Sequence, residues 1–481
     1  MLNPAFLGLK PERVLDIFSD VLRIPRRSHE EIFMVDYIRI WAEGRGYRYK
    51  VDDAKNIVVF VPANNGLDEA PTLCLQAHND MVCVGQTSWP IEIEVKNGWV
   101  MTKGQTQTLG ADNGIGCAMM MAVCDEHHGP LELLFTSDEE DDFSGCEKFR
   151  REYFGLKSKY VINLDTPHDG RITVASAGFV YAKSTLKLTR EGGHTAKRYR
   201  LSLDNLPGGH SGEDVHTFRG NSLKLMGLLL SRLPHCSLLV SIEGGEKNNS
   251  IPKSCTAVVQ VPNGENDFGV LETLVESARE TLRCPGITFV VTPDDSSELN
   301  ALSLECHTKL VALLRAVPNG VVQMNLDLED LPDLSSTPSV IKKVDGQDAL
   351  LFMHQVRGAT EEALYSMFER VSAVYASFGC TVEKGHHGRS WIQDPNHPLV
   401  KAAQTSFAVT GYPGVLSGNH GAIEPGTLCG DPTNPQFEAA VSFGVWIRDE
   451  HKETERFPLF SLERTFEVLR YFVSHSGSFG L

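Results

Sequence analysis

The 481-residue chain lacks a cysteine framework: its eleven cysteines are odd in number and scattered, with no Cys-x-x-Cys pair. That spacing excludes a Cys-based structural zinc and suits reduced thiols, so the cytosol is the expected compartment. No apolar run approaches the roughly 18–20 residues that span a bilayer, and the N-terminus has no basic segment followed by a long apolar stretch. A membrane partner is therefore not expected. Basic residues are also in deficit, with 45 Lys and Arg against 62 Asp and Glu and a net charge of −17. With no Lys/Arg stripe to override it, this balance opposes binding to a polyanion, and nucleic acid is excluded as the expected partner. Low-complexity tracts and obvious repeats are missing as well.

What is present is an ordinary globular composition, 41% hydrophobic and 22% charged, on a chain longer than one core usually sustains. Val14, Ile17, Phe18, Val21 and Leu22 recur at helical spacing, and Ser28-His29-Glu30-Glu31 offers a capping box for a second helix ending near Gly44. Apolar runs of strand length follow at 57–61, 72–75, 131–135, 160–162 and 439–443. The prediction is an α/β fold, a mixed sheet with helices on both faces. Between about 182 and 385 the pattern changes to alternating strands and amphipathic helices such as 223–233 and 361–375. We expect an α+β domain inserted there, with residues 1–181 and 386–481 forming the two parts of the first domain.

Four of the five apolar runs are followed by a His or a carboxylate, and strand ends in such sheets gather ligands. Leu75-Gln76-Ala77-His78-Asn79-Asp80 ends a strand in His-x-Asp, in which His78 can bind a metal while Asp80 orients the ring. A solvated polar strand end is the alternative. Gly110-Ala111-Asp112-Asn113-Gly114-Ile115-Gly116 enters an expected helix over 117–124, and Asp112 has the two oxygens needed to bridge two cations. Capping by the same Asp is the competing reading. Five consecutive acids, Asp138 to Asp142, follow an apolar strand. They call for cations or full solvation. If extended geometry persists there, Glu139 and Glu140 face opposite ways, one as metal ligand and one as general base. Asp165 and His451 then complete a set of two His and three carboxylates, the donor mixture that suits paired Zn2+ or Mn2+. His397 and His420 are alternative terminal ligands.

In this order the motifs resemble the co-catalytic zinc peptidases, and among them the aminoacyl-histidine (Xaa-His) dipeptidases. The resemblance extends nearly end to end and includes Gly208-Gly209-His210-Ser211-Gly212, Asn249-Ser250-Ile251-Pro252, Pro318-Asn319-Gly320-Val321 and Trp391-Ile392-Gln393-Asp394-Pro395-Asn396. It implies that His78 and Asp165 hold one divalent ion, that Glu140 and His451 hold the other, and that Asp112 bridges them. Zn2+ is the first choice, with Mn2+ or Co2+ as alternatives. It further implies Glu139 as general base, Asp80 as the partner of His78, and an inserted lid whose His210 polarises the scissile carbonyl. Arg357 and Asn249 resemble its substrate-binding positions. The activity implied is hydrolysis of a small peptide, with a homodimer left open. N-acyl-amino-acid deacylation and an inactive binding homologue are the alternatives.

Three departures bear on specificity. Asp141 and Asp142 stand where the family has small residues, which suggests a site for a free ammonium. Asp449-Glu450-His451-Lys452-Glu453 replaces the usual Gly-Pro-His-Ser-Pro, and Asn248 replaces a basic residue.

Overall fold

Strands β1 (Arg48–Val51), β2 (Ile57–Val61), β3 (Leu73–His78), β4 (Leu131–Thr136), β5 (Tyr160–Asn163), β6 (Arg171–Ser176), β7 (Trp391–Ile392) and β8 (Ala439–Ser442) lie side by side in the order β1-β2-β4-β3-β5-β8-β6-β7, with Val415–Asn419 pairing to β6. This computed structural model describes residues 2–191, 196–262, 267–295, 299–328 and 330–481. The sheet is mixed: β4, β3, β5 and β8 run parallel, while β1, β2, β6 and β7 join antiparallel.

Alternating residues of these strands feed two separate cores, the signature of a sheet covered on both faces. Val59, Leu75, Leu133 and Ile162 pack with Phe18 of α1 (Glu12–Val21), Met119 of α3 (Ala111–Val123) and Leu469 of α5 (Leu459–Ser474). Val58, Cys74, Leu134, Val161 and Ala440 pack on the other side with Phe149, Phe154 and Leu428 of α4 (Glu424–Cys429). Every residue of β3 and β4 is buried, so both strands are largely apolar, with Gln76 and Glu132 as buried polar exceptions. The second predicted helix, α2 (Ile32–Gly44), is present but its capping box is not. The Ser28 hydroxyl donates instead to Asp80 Oδ2 at 2.8 Å.

The chain folds as two compact units. One holds the chain up to Ser176 with Trp391–Gly418 and Ile423–Leu481; the other holds Ala177–Ser390 and Asn419–Ala422. The second unit is an antiparallel sheet ordered Thr288–Pro293, Ala196–Asp204, Cys255–Pro262, Leu238–Gly244, Pro332–Lys343, Ala349–Gly358, Gly178–Lys187, Thr381–Gly388, with Gly320–Met324 beside Pro332–Lys343. Helices Ser222–Leu230, Gly269–Thr281, Leu304–Ala316 and Glu361–Ser377 share one apolar core with it. Residues 419–422, which the sequence reading kept in the first domain, cluster with this unit.

Candidate metal centre

His78 is the last residue of β3, and its Nε2 lies 3.1 Å from Asp112 Oδ1 and 3.5 Å from Asp165 Oδ1. The other oxygen of Asp112, Oδ2, lies 3.1 Å from His451 Nε2, which is itself 2.8 Å from Glu140 Oε2. All five expected ligands therefore converge as two triads that share the Asp112 carboxylate.

Two glycines let Asp112 reach this position. Gly110 caps α3 with φ +70°, and a Cβ there would meet Arg26 and Met81 at 2.6–2.7 Å. At Gly116 a Cβ would meet the Asn113 side chain at 2.0 Å and the Leu164 carbonyl at 2.8 Å. Asn113 Nδ2 in turn donates to Asp165 Oδ1 at 2.7 Å. Arg26, buried, donates to the carbonyls of Asp80 and Gly110 and braces the loops after β3 and before α3 against each other.

The acidic run after β4 does not keep the extended geometry of the strand. The chain turns at Asp138, whose φ is +55°, because the Glu139 and Glu140 N–H groups both donate to Asp80, at 3.2 Å to Oδ1 and Oδ2 respectively. After this turn the two side chains face different partners: Glu139 Oε2 lies 4.0 Å from His78 while Glu140 sits against His451. Asp80 Oδ1 also lies 3.3 Å from His78 Nδ1, close enough for an ion pair but not aligned as a hydrogen bond. Of the two further acids, Asp141 lies 2.9 Å from His29 Nε2, and Asp142 accepts from the Ser144 N–H at 3.1 Å.

His451 arrives on a loop closed by paired backbone hydrogen bonds between Arg448 and Arg456, at 2.9 and 3.0 Å. Asp449 and His451 both adopt positive φ in it, 56° and 59°. The same loop carries Glu455, which sequence reasoning missed. Its carboxylate accepts from four successive N–H groups, Leu109, Gly110, Ala111 and Asp112, at 2.8–3.2 Å. Glu424 at the start of α4 was missed as well; it is wholly buried, and burial pushes its carboxyl up to about 7. Neither alternative ligand joins the centre. His397 caps a helix through Leu399 N–H at 3.2 Å, and His420 Nε2 bonds Ser335 Oγ at 2.7 Å within the second unit.

The electrostatics show what the donors accept. Burial disfavours the imidazolium forms of His78 and His451, yet the adjoining carboxylates outweigh it and raise both well above 6.5. Burial also pushes Glu139 well above the ordinary glutamate value, helped by Asp165 and Glu140 and opposed by His78. Asp165 is pushed up to about 6, by burial first and with His78 opposing. Asp112 and Asp80 are buried too, but the imidazoles beside them hold both below the usual carboxylate range. Glu140 Oε1 is buried without a hydrogen-bond partner among the described residues. Such a pocket takes up positive charge, as protons or as cations, and its His and carboxylate donors fit a divalent ion. His78, Asp112 and Glu140 present donor atoms all within 4.8 Å of one another.

Within the second unit, His210, Ser211, Asn249 and Arg357 also come together. Arg357 NH2 lies 3.2 Å from His210 Nε2, its Nε donates to Ser211 Oγ at 3.2 Å, and the Ser211 N–H donates to the Asn249 carbonyl at 2.9 Å.

A His and carboxylate pocket at the strand ends of a mixed sheet suits a divalent ion and the hydrolytic chemistry such an ion supports. The chain belongs to peptidase family M20/M25/M40, whose model matches residues 74–475. It is 28% identical to the cytosol non-specific dipeptidase of Escherichia coli (strain K12), over 96% of this chain and 97% of that one. Among solved structures, aminoacylhistidine dipeptidase from Vibrio alginolyticus matches with a TM-score of 0.77 at 25% identity, covering 97% of each chain. The aminopeptidase PepT of Bacillus cereus shares the fold with a TM-score of 0.56 at 15% identity, over 97% of this chain and 99% of its own.

Proposed function

We propose that this chain hydrolyses the amide bond of dipeptides with a pair of divalent ions. The observation that carries the reading is the Asp112 carboxylate, which offers one oxygen to His78 and one to His451, each at 3.1 Å. His78 and Asp165 would hold one ion, Glu140 and His451 the other, and Asp112 would bridge them. Zn2+ is the first choice for this donor set, with Mn2+ and Co2+ as alternatives. When bound, such a pair supplies Lewis acidity, lowering the pKa of water towards about 7 and polarising a carbonyl.

Glu139 is the general base. Its carboxylate takes a proton from the attacking water and returns it to the leaving amine, a role favoured by a raised affinity for protons. Asp80 fixes the His78 ring and, through the two amides it accepts, the direction in which Glu139 and Glu140 point.

The second unit supplies substrate-binding residues. Arg357 is buried, its hydrogen-bond partners here are a hydroxyl and an imidazole, and it pairs with the C-terminal carboxylate of the peptide. His210 shares the charge that develops on the carbonyl oxygen, and Asn249 contacts the substrate backbone. The E. coli relative and the Vibrio structure are both named as dipeptidases, which supports the substrate class. The latter's name also supports a preference for Xaa-His. The cytosol is the proposed compartment, since all eleven cysteines are free thiols and the E. coli relative is named as cytosolic. No helix among the described residues is long and apolar enough to cross a membrane.

The test is a panel of Xaa-His dipeptides, other dipeptides, tripeptides and N-acetylated dipeptides, assayed with added Zn2+ or Mn2+ and after chelation. Metal-dependent cleavage confined to free-amine dipeptides is expected. Preferential cleavage of the acetylated forms identifies a deacylase instead, and no cleavage by a fully metallated protein contradicts the assignment.

A further inference from the structure

Directly beneath the metal centre the sheet carries a buried polar row where an apolar one would be expected. Gln76, Asn163 and Ser442 are register partners across β3, β5 and β8, and one pleat below them stand Cys74, Val161 and Ala440. The row is hydrogen-bonded throughout. Gln76 Oε1 accepts from Asn163 Nδ2 at 2.7 Å, and Asn163 Oδ1 accepts from Ser442. It ends on Glu424, whose Oε2 accepts from Gln76 Nε2 and, at 2.9 Å, from Thr136 Oγ1.

Glu424 is the one charged member of this network, and Gln76, Thr136 and Asn163 around it are all wholly buried. Its Oε1 is buried with no hydrogen-bond partner among the described residues. A carboxylate buried with one oxygen unpaired costs stability, because its desolvation is only partly repaid by the two hydrogen bonds to the other oxygen. Each polar neighbour also sits just before a residue of the centre: Gln76 precedes His78 by two positions, Asn163 precedes Asp165 by two, and Thr136 precedes Glu139 by three. On a strand, side chains two positions apart share a face and are spaced by roughly 6.6 Å, which holds for Gln76 and His78 on β3; Asp165 and Glu139 lie just past the ends of β5 and β4. Glu424 is thereby close enough for its charge to act on His78, Asp165 and Glu139 through space.

We propose that Glu424 is a positioning residue for the metal centre: it ties together the strand ends that carry His78, Glu139 and Asp165, and its buried negative charge strengthens the hold of the centre on divalent cations. The inference rests on the two-cation reading above. It accounts for a carboxylate kept where a glutamine of the same shape would be easier to bury: the cost is borne in the metal-free protein and offset when cations bind.

The test compares the full-length wild type with Glu424→Gln by Zn2+ competition against a chromophoric chelator and by melting of the metal-free proteins. Glutamine keeps an acceptor for Gln76 and Thr136 but removes the charge. Zn2+ affinity should fall about tenfold or more, the range seen when groups behind metal ligands are altered. The melting temperature of the metal-free variant should stay level or rise. Unchanged affinity, with or without a lower melting temperature, overturns the proposal and leaves Glu424 as packing alone. Glu424→Asp, which keeps the charge, should bind Zn2+ more tightly than Glu424→Gln; the reverse order also overturns it. Should Glu424→Gln not fold, a loss beyond tenfold in Glu424→Asp has the same force. A wild type that binds no divalent ion removes the two-cation reading itself, and this inference with it.

Discussion

Glu455 holds Asp112 by its backbone: one carboxylate oxygen accepts from the N–H groups of Asp112 and Ala111, at 3.2 and 2.8 Å, and the other from those of Gly110 and Leu109. These donors open helix α3, where backbone N–H groups otherwise lack partners and a negative charge is favoured. The loop that brings His451 to one oxygen of Asp112 thus also fixes the peptide from which that side chain projects. Glu455→Gln would turn an NH2 group towards donors. It should destabilise the metal-free protein by on the order of 2–3 kcal/mol and weaken metal binding by about 10–100-fold. Denaturant unfolding and chelator competition check both effects, and a loss of affinity without a loss of stability would detach Glu455 from the scaffold role.

Replacing Glu139 should separate chemistry from metal binding. Glu139→Ala is expected to lower kcat by roughly 10²–10⁴-fold, the usual contribution of a positioned base, with metal content per chain unchanged. Parallel metal analysis and steady-state kinetics decide it. Near-normal turnover in a fully metallated variant would take Glu139 out of the base role.

Arg357→Ala should raise KM for dipeptides with little change in kcat if the carboxylate contact is equally strong in the ground and transition states. Lysine is not expected to restore binding, since it lacks the planar fork that pairs with a carboxylate. A peptide with an amidated C-terminus should lose the difference between wild type and variant. If the free and amidated peptides respond alike to the substitution, Arg357 does not read that carboxylate.

Much of this arrangement is written in the sequence. The five strands flanking the site are legible because they are buried on both faces and therefore mostly apolar, and His78 announces itself as the polar end of one of them. The Gly110 to Gly116 motif is readable for a related reason, since close backbone approach leaves only glycine. What escapes is set by partners distant in the chain. The turn at Glu139 and Glu140 is imposed by Asp80, 59 and 60 residues earlier, so nothing in the local pattern marks it. Ser28 mimics a helix cap, yet its hydroxyl serves Asp80. Glu455 and Glu424 reach their partners across more than 280 residues and stand in segments with no apolar periodicity to mark them.

The second unit should show its own acid sensitivity. His354 is fully buried between Ser336 Oγ at 2.7 Å and Tyr375 OH at 3.3 Å, and burial, with Lys224 adding, lowers its pKa to about 3. The folded state therefore resists a proton that the unfolded chain accepts near pH 6.5. Stability is greatest above pH 6.5 and falls as the pH drops from there towards about 3, by roughly 1.4 kcal/mol per pH unit for this group. Denaturant titrations across that window should show a shallower slope for His354→Gln, which does not titrate. An identical slope would mean that His354 is protonated in the folded protein.

The most direct test of the central claim is anomalous diffraction from crystals of the zinc-loaded protein, recorded on both sides of the zinc edge. The account predicts two zinc peaks, one on each side of the Asp112 carboxylate, with His78 and Asp165 on one and Glu140 and His451 on the other. A single peak, or zinc bound away from Asp112, would contradict it.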